Sequence, residues 1–121
     1  KTTPIVTQAY CYVKPRLVGT KFFGRSFGKG WIKRYLDLKK IPAKHQPAMV
    51  VEMLSRFHDR LVQLEAKYSG FYVVDTRKAL LKSGKPHLPW FHDEIHPTNE
   101  GFRKVAAVIQ KRMRDEGIWL S

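Results

Sequence analysis

The chain has 121 residues, of which 43% are hydrophobic and 27% charged, so it fits one compact domain and not a disordered segment. No apolar run reaches the roughly 18–20 residues of a membrane-spanning helix, and the single Cys11 excludes an internal disulfide and a cysteine-based zinc site. Lys and Arg number 23 against 10 Asp and Glu, and this net charge of +13 points to nucleic acid, an anionic membrane surface or an acidic substrate.

The chain begins with a predicted strand. The segment Ile5–Val13 is rich in β-branched and aromatic residues and stops at Lys14-Pro15, so we assign residues 1–13 to a buried strand. Because the sequence opens on Lys1-Thr2-Thr3-Pro4, with no initiator Met and no long apolar core, we expect no signal peptide. The missing Met fits a trimmed chain, a processed product or a fragment.

Residues 14–47 are predicted to be a long basic loop excursion, rich in Gly and Pro, with a short helix near Trp31–Leu38. Ten bases and only one acid, Asp37, lie between Lys14 and Lys44, so this stretch carries +9 of the +13. Loops of this length are uncommon in compact domains and often serve as lids or binding loops. The excursion is therefore a solvated basic loop, a loop that faces an acidic segment absent from this sequence, or an anion-binding surface.

A long helix and a second strand follow. Apolar residues recur at the 3–4 spacing of one buried helical face, which predicts a helix over 48–69: Val50, Leu54, Phe57, Leu61, Leu64 and Tyr68. Phe71-Tyr72-Val73-Val74-Asp75 then predicts a short buried strand over 70–75. A strand, a crossover with a helix and a second strand make a parallel βαβ unit.

The last elements are a loop over 90–97 and a helix over 98–116. Thr98 or Asn99 can cap this helix, and Gly117 ends it. Its predicted inner face comprises Phe102, Val105, Ala106, Ile109 and Met113.

Two parallel strands and two long helices are too few to cover both faces of a sheet. We therefore expect an α/β fold, a three-layer α/β/α flavodoxin-like parallel sheet, of which this chain is the C-terminal half. Such a half exposes a sheet edge and an apolar helix face, so we expect it to pair with the missing N-terminal half or to self-associate.

The segment richest in chemistry is the loop before the final helix. Asp93 and His96 lie three apart there, so the carboxylate can meet one imidazole nitrogen and leave the other facing a cleft. In a hydrolase, such a carboxylate fixes the tautomer and stabilises the imidazolium, while the imidazole takes a proton from a nucleophile and later returns it. The alternative is that the pair only ties down the loop.

Asp93-x-x-His96-Pro97, followed by a capped helix beginning Asn99-x-Gly101-Phe102, resembles the C-terminal block of the SGNH hydrolases, also called GDSL esterases and lipases. The resemblance implies a serine ester hydrolase that needs no metal or organic cofactor. Asp93 would be the orienting carboxylate and His96 the general base. It also implies a nucleophilic Ser from a Gly-Asp-Ser motif, and an oxyanion-hole Gly and Asn, in blocks that this sequence does not contain. We therefore expect these groups upstream of Lys1, and the 121-residue chain alone to be inactive.

The substrate would be a small-molecule, carbohydrate or lipid ester. We expect the basic excursion to line or cover the substrate cleft, with Trp31, Lys33 and Arg34 as the candidate binding residues and with acidic acyl or sugar-bound esters favoured.

Three other motifs in the sequence suggest different functions. Gly24-Arg25-Ser26-Phe27-Gly28 matches the nucleophile elbow of α/β-hydrolases, but no helix start follows it directly. His92-Asp93-Glu94-Ile95-His96 is similar to the zinc-protease motif, but its second residue is Asp and Pro97 disfavours a helix there.

The third is nucleic-acid binding by the bases and aromatic residues of the excursion, although no signature of a nucleic-acid module is present. We expect nucleic acid not to be the partner. A non-catalytic basic binding module or an inactive fragment remains the alternative to the enzyme.

Overall fold

The computed structural model describes residues 3–22, 25–28 and 30–118, which form a mixed α/β structure. Its helices are α1 (Lys33–Leu38), α2 (Gln46–Lys67) and α3 (Asn99–Asp115), with short 3₁₀ turns at Ala43–His45 and Leu88–Trp90. Its strands are β1 (Ile5–Gln8), β2 (Thr20–Phe22), β3 (Arg25–Phe27), β4 (Phe71–Val74), β5 (Leu81–Lys82) and β6 (Lys85–Pro86).

The predicted βαβ unit is present. β1 and β4 pair in parallel, with Ile5 opposite Phe71 and Gln8 opposite Val74, and the connection between them contains α2. Further bonds extend the ladder at both ends, from Ile5 N to Gly70 O and from Ala9 N to Val74 O. The result is a small two-stranded parallel sheet.

The first strand is much shorter than predicted. It covers Ile5–Gln8 instead of residues 1–13, of which residues 1–2 lie outside the described part of the chain. The ladder stops because β4 ends at Val74, and the N–H of Tyr12 donates instead to the carbonyl of Arg77. Ala9, Cys11 and Val13 are nevertheless buried. The apolar pattern therefore predicted the burial of these residues correctly, but the prediction that they pair in a strand was wrong.

Helix α2 matches its prediction in position, since it covers Gln46–Lys67 against the predicted 48–69, and Gly70 follows with a φ of +81°. The predicted buried face is only partly correct. Val50 is fully buried, whereas the side chains of Phe57, Leu64 and Tyr68 are exposed. The 3–4 spacing gave the apolar face of the helix, but in the described structure the neighbouring elements cover only one side of that face.

Helix α3 begins and ends as the sequence predicts. The Thr98 side chain accepts a hydrogen bond from the N–H of Gly101, and Gly117 follows the helix with a φ of +65°. Val105 is buried on its inner face, but Phe102 is 55% exposed, which corrects its assignment to that face.

Two antiparallel hairpins were not predicted. β2 pairs with β3 inside the excursion, and β5 pairs with β6 in the polar stretch before the loop. The second hairpin turns through Ser83 and Gly84, both at positive φ, which is the geometry that two-residue hairpin turns require.

The core lies where the segment that follows β1, the helices α1, α2 and α3, and the loops meet. Its buried members come from all of these segments: Cys11, Val13, Leu36, Val50, Leu80, Phe91 and Val105. Leu36 belongs to α1, so the excursion is packed onto the domain at this point. In the described part of the chain, no helix is both long and apolar enough to cross a membrane.

Candidate active site

The loop that carries Asp93 and His96 is closed on itself. Phe91 and Pro97 form an antiparallel bridge, and the N–H of His92 donates to the carbonyl of His96 at 2.7 Å. The N–H of Thr98 donates to the carbonyl of Trp90 at 2.9 Å, which ties the start of α3 to the start of the loop. Backbone hydrogen bonds alone therefore hold the two ends of the loop together.

Gly101 lets α3 approach this loop closely. A Cβ at this position would lie 2.4 Å from the carbonyl oxygen of Trp90 and 2.9 Å from the Cβ of Pro97, closer than real contacts allow. The glycine that follows the Asp-x-x-His-Pro motif thus serves the packing of the helix against the loop.

Asp93 and His96 meet as the sequence predicts. Oδ2 of Asp93 lies 2.7 Å from Nδ1 of His96. Because an ionised carboxylate only accepts hydrogen bonds, Nδ1 carries the proton and Nε2 is left as the basic nitrogen. The other oxygen, Oδ1, accepts the backbone N–H groups of Ile95 at 2.9 Å and His96 at 2.8 Å. The loop backbone therefore holds the carboxylate in place.

The two side chains differ in exposure in the way a general base and its orienting acid require. The Asp93 side chain is 0% exposed, whereas that of His96 is 48% exposed. The buried carboxylate orients the imidazole through Nδ1, while the exposed ring remains accessible to a reactant. This arrangement can accept and return a proton.

Tyr10 also belongs to this site, although no motif or spacing in the sequence pointed to it. Its hydroxyl donates to the carbonyl of Ile95 at 2.8 Å, from the irregular segment that follows β1. Burial raises the pKa of Tyr10, with smaller contributions from Cys11 and Asp93, so its hydroxyl remains a neutral donor. Tyr10 joins the end of the first strand to the loop.

Glu94 is a buried residue of the site that the sequence did not predict. Its side chain is buried, and its carboxylate accepts four backbone N–H groups, from Arg16, Trp31, Ile32 and Lys33. All four donors belong to the excursion, up to 78 positions away in the sequence. Nothing in the local pattern distinguishes Glu94 from an exposed acid; its place beside Asp93 in a strongly basic chain was the only available hint.

The excursion brings Trp31 directly to His96. The two rings meet edge to face, with centroids 5.8 Å apart and an interplanar angle of 81°. Trp31 is 51% exposed, so its ring forms part of the accessible wall of the site.

The two candidate bases beside Trp31 differ in their surroundings. Arg34 lines a cavity of about 210 Å³ together with Trp31, Tyr35 and three glycines. The ammonium of Lys33 instead forms an ion pair with Asp37 one helical turn away, so its charge is matched locally.

Neither competing motif lies in the secondary structure that its chemistry requires. Ser26 lies in β3, paired with Lys21 of the antiparallel hairpin, and not at a turn from a strand into a helix; Gly24 lies outside the described residues. His92 and His96 belong to a closed loop and not to a helix. Among the residues described, no group of three or more His, Cys, Asp or Glu side chains is placed to hold a metal ion.

Comparisons with protein-family models, with curated proteins and with solved structures found no match to this chain.

Proposed function

We propose that this chain supplies the acid–base half of the catalytic triad of an SGNH-type serine ester hydrolase. The observation that carries the proposal is the Asp93–His96 pair: a fully buried carboxylate, held by two loop N–H groups, 2.7 Å from the Nδ1 of a half-exposed imidazole. A pair that only tied down the loop would not need the imidazole to be accessible.

In the proposed reaction, Nε2 of His96 takes the proton from a serine hydroxyl as its oxygen attacks the acyl carbon of the ester. Asp93 stabilises the imidazolium that forms and does not itself take up the proton. As the tetrahedral intermediate collapses, the imidazolium gives the proton to the departing alcohol oxygen, and the acyl group stays on the serine. Water then repeats the cycle in place of the serine and releases the acid.

The serine and the oxyanion-hole donors are proposed to come from sequence outside this chain. Within the described residues, Ser26 lies in a hairpin strand, and β1 and β4 pair only with each other. The outer edge of each strand can therefore accept further parallel strands, as a three-layer flavodoxin-like sheet requires. On this proposal, the 121-residue chain has no esterase activity by itself.

The substrate is proposed to be an ester that bears an anionic group. Trp31 borders His96, and Arg34 lines the cavity that adjoins Trp31, so an acidic acyl or sugar group there would meet a guanidinium. Lys33 adds positive charge to the same helix, although Asp37 matches it.

The test uses the complete protein, meaning this chain with whatever sequence its reading frame encodes before Lys1. Asp93→Asn and His96→Asn are each expected to lower kcat for 4-nitrophenyl acetate on the order of 10⁴-fold, since each removes a member of the proton-transfer pair. His92→Asn is the matched control, because His92 is an exposed histidine of the same loop. The proposal is contradicted if Asp93→Asn and His96→Asn retain activity, or if His92→Asn loses as much activity as they do.

A second candidate is a non-catalytic basic binding module. It is favoured by the exposure of the bases Lys39, Lys40 and Lys44 and of the aromatic Tyr35, which is 67% exposed. Polyanion binding that falls steeply with salt and is unchanged in His96→Asn, together with no esterase activity in the complete protein, would favour this function.

A further inference from the structure

Two separate parts of the basic excursion meet at one carboxylate. Near the start of the excursion, the N–H of Arg16 donates to Oε1 of Glu94 at 3.1 Å, and the Arg16 guanidinium donates to the carbonyl of Asp93. Further along, the N–H groups of Trp31 and Ile32 donate to Oε2, and that of Lys33 to Oε1. Glu94, whose side chain accepts the four backbone N–H groups, lies between Asp93 and His96 in the sequence.

Because the Glu94 carboxylate is buried, it needs protein hydrogen-bond donors in place of water. A buried carboxylate is costly unless hydrogen bonds replace its hydration, and here both oxygens have two backbone donors each. These donors cannot rotate away as side chains can, because they are main-chain groups, and three of them belong to the consecutive residues Trp31, Ile32 and Lys33. The position of the Trp31 backbone is therefore set by Glu94.

The ring of Trp31 extends from that fixed backbone to the edge of His96. We propose that Glu94 is a positioning residue that holds the excursion against the loop carrying Asp93 and His96. Through the backbone of Trp31, it also fixes the position of the Trp31 ring beside the His96 imidazole. The catalytic consequence of this inference rests on the proposed function. The docking itself does not.

The chemistry of the site requires Glu. In Glu94→Gln, an amide NH₂ replaces one oxygen and faces two N–H donors, so that half of the network is lost and two donors lose their acceptor. Glu94→Asp keeps the charge, but its shorter side chain brings the carboxylate back from the donors. Glu100→Gln is the matched control, because the Glu100 carboxylate accepts from the indole N–H of Trp90 and belongs to α3.

The first experiment needs no activity. In the complete protein with labelled histidine and tryptophan, the nuclear Overhauser contact between the Trp31 indole and the His96 ring is measured by NMR. We expect it in the wild type and in Glu100→Gln, and we expect it to fall at least five-fold in a folded Glu94→Gln. An unchanged contact overturns the proposal. If Glu94→Gln does not fold, Glu94→Asp is measured in the same way, and an undiminished contact there overturns it equally.

The second experiment is a double-mutant cycle on kcat/KM for 4-nitrophenyl acetate in the complete protein. Glu94→Gln and Trp31→Leu are each expected to lower kcat/KM about 10-fold, and the double variant about 10-fold as well, because both remove the same wall. Independent effects, with the double variant lowered about 100-fold, overturn the positioning role. If Asp93→Asn and His96→Asn leave activity intact, the proposed function fails while the NMR result still decides the docking.

Discussion

The backbone of Gly30 passes directly over the carboxylate of Glu94. A Cβ on Gly30 would lie 2.9 Å from Oε2 of Glu94 and 2.5 Å from the carbonyl oxygen of Arg16. Gly30 also has a φ of +84°, which side-chain-bearing residues rarely adopt. The excursion can therefore reach Glu94 because a glycine precedes the three N–H donors of Trp31, Ile32 and Lys33.

We expect Gly30→Ala to detach the excursion from the loop. The methyl group would meet a main-chain oxygen that cannot rotate away, in addition to the cost of a positive φ, so the free energy of unfolding is expected to fall by about 2–3 kcal/mol. Urea unfolding provides this value, and the Trp31–His96 contact provides a local readout.

Gly28→Ala is the matched control for Gly30→Ala. Gly28 has a φ of +85°, but nothing lies within 4 Å of the position its Cβ would take. Its substitution is therefore expected to cost only the backbone term, about 1 kcal/mol. Equal losses in the two variants would show that steric contact with the Glu94 site contributes nothing.

The sequence predicted the parts of the site that are local and missed those that are not. Asp93 and His96 lie three apart in one loop, so spacing alone brought them together, and Thr98 capped α3 for the same reason. Glu94 and Tyr10 act through backbone groups more than 60 positions away, and no periodicity reports such a contact.

The fold shows the same division. The order β1, α2, β4, α3 followed from apolar periodicity and from the glycines at the helix ends. Where β1 stops depends on the length of its partner strand, and the exposure of Phe57 depends on what packs beside α2. Both are tertiary properties that side-chain patterns do not encode.

Cys11 is expected to be unreactive in the folded protein. Burial raises the pKa of its thiol to about 11, and the side chain belongs to the core. Since the thiolate is the nucleophile, only about one thiol in a thousand is ionised at pH 8, and even that fraction is shielded from solvent. Ellman's reagent is therefore expected to give no colour with the native protein and one equivalent in guanidinium. Rapid reaction of the native protein would contradict the burial of Cys11.

The ion pair that follows β4 predicts a pH dependence of stability. Hydrogen bonds from the Arg77 guanidinium lower the pKa of Asp75 to about 2, from an ordinary value of 3.8. Because the folded-state pKa is depressed, the stabilisation is present above about pH 4 and is lost as the pH falls towards 2.

Asp75→Asn tests this dependence. Since the Asp75 side chain is 47% exposed, we expect the variant to be less stable than the wild type by only about 0.5–1 kcal/mol at pH 6. At pH 2 the two proteins are expected to unfold at the same urea concentration. Asp115→Asn, which removes an exposed carboxylate paired with Lys111, is the control. A difference between wild type and Asp75→Asn that persists unchanged at pH 2 would contradict the assignment.

Charge reversal in α1 tests whether the excursion selects the substrate. Arg34→Glu places a negative charge in the cavity beside Trp31, so it is expected to lower kcat/KM about 10-fold for an ester bearing a carboxylate and less than about two-fold for a neutral ester. Lys33→Glu is expected to act in the same direction, but it also breaks the ion pair with Asp37, so Arg34 gives the cleaner measurement.

Lys44→Glu is the control for Arg34→Glu, because Lys44 is an exposed base of the 3₁₀ turn Ala43–His45 and changes the net charge by the same amount. It is expected to affect the two esters alike. If Arg34→Glu also lowers kcat/KM equally for the two esters, the excursion does not select the substrate by its charge. Its +9 would then act only through the overall field of the protein, an effect that disappears as salt is added. Repeating both variants at low and high ionic strength separates the two cases, because a local contact in the cavity is screened much less than a long-range field.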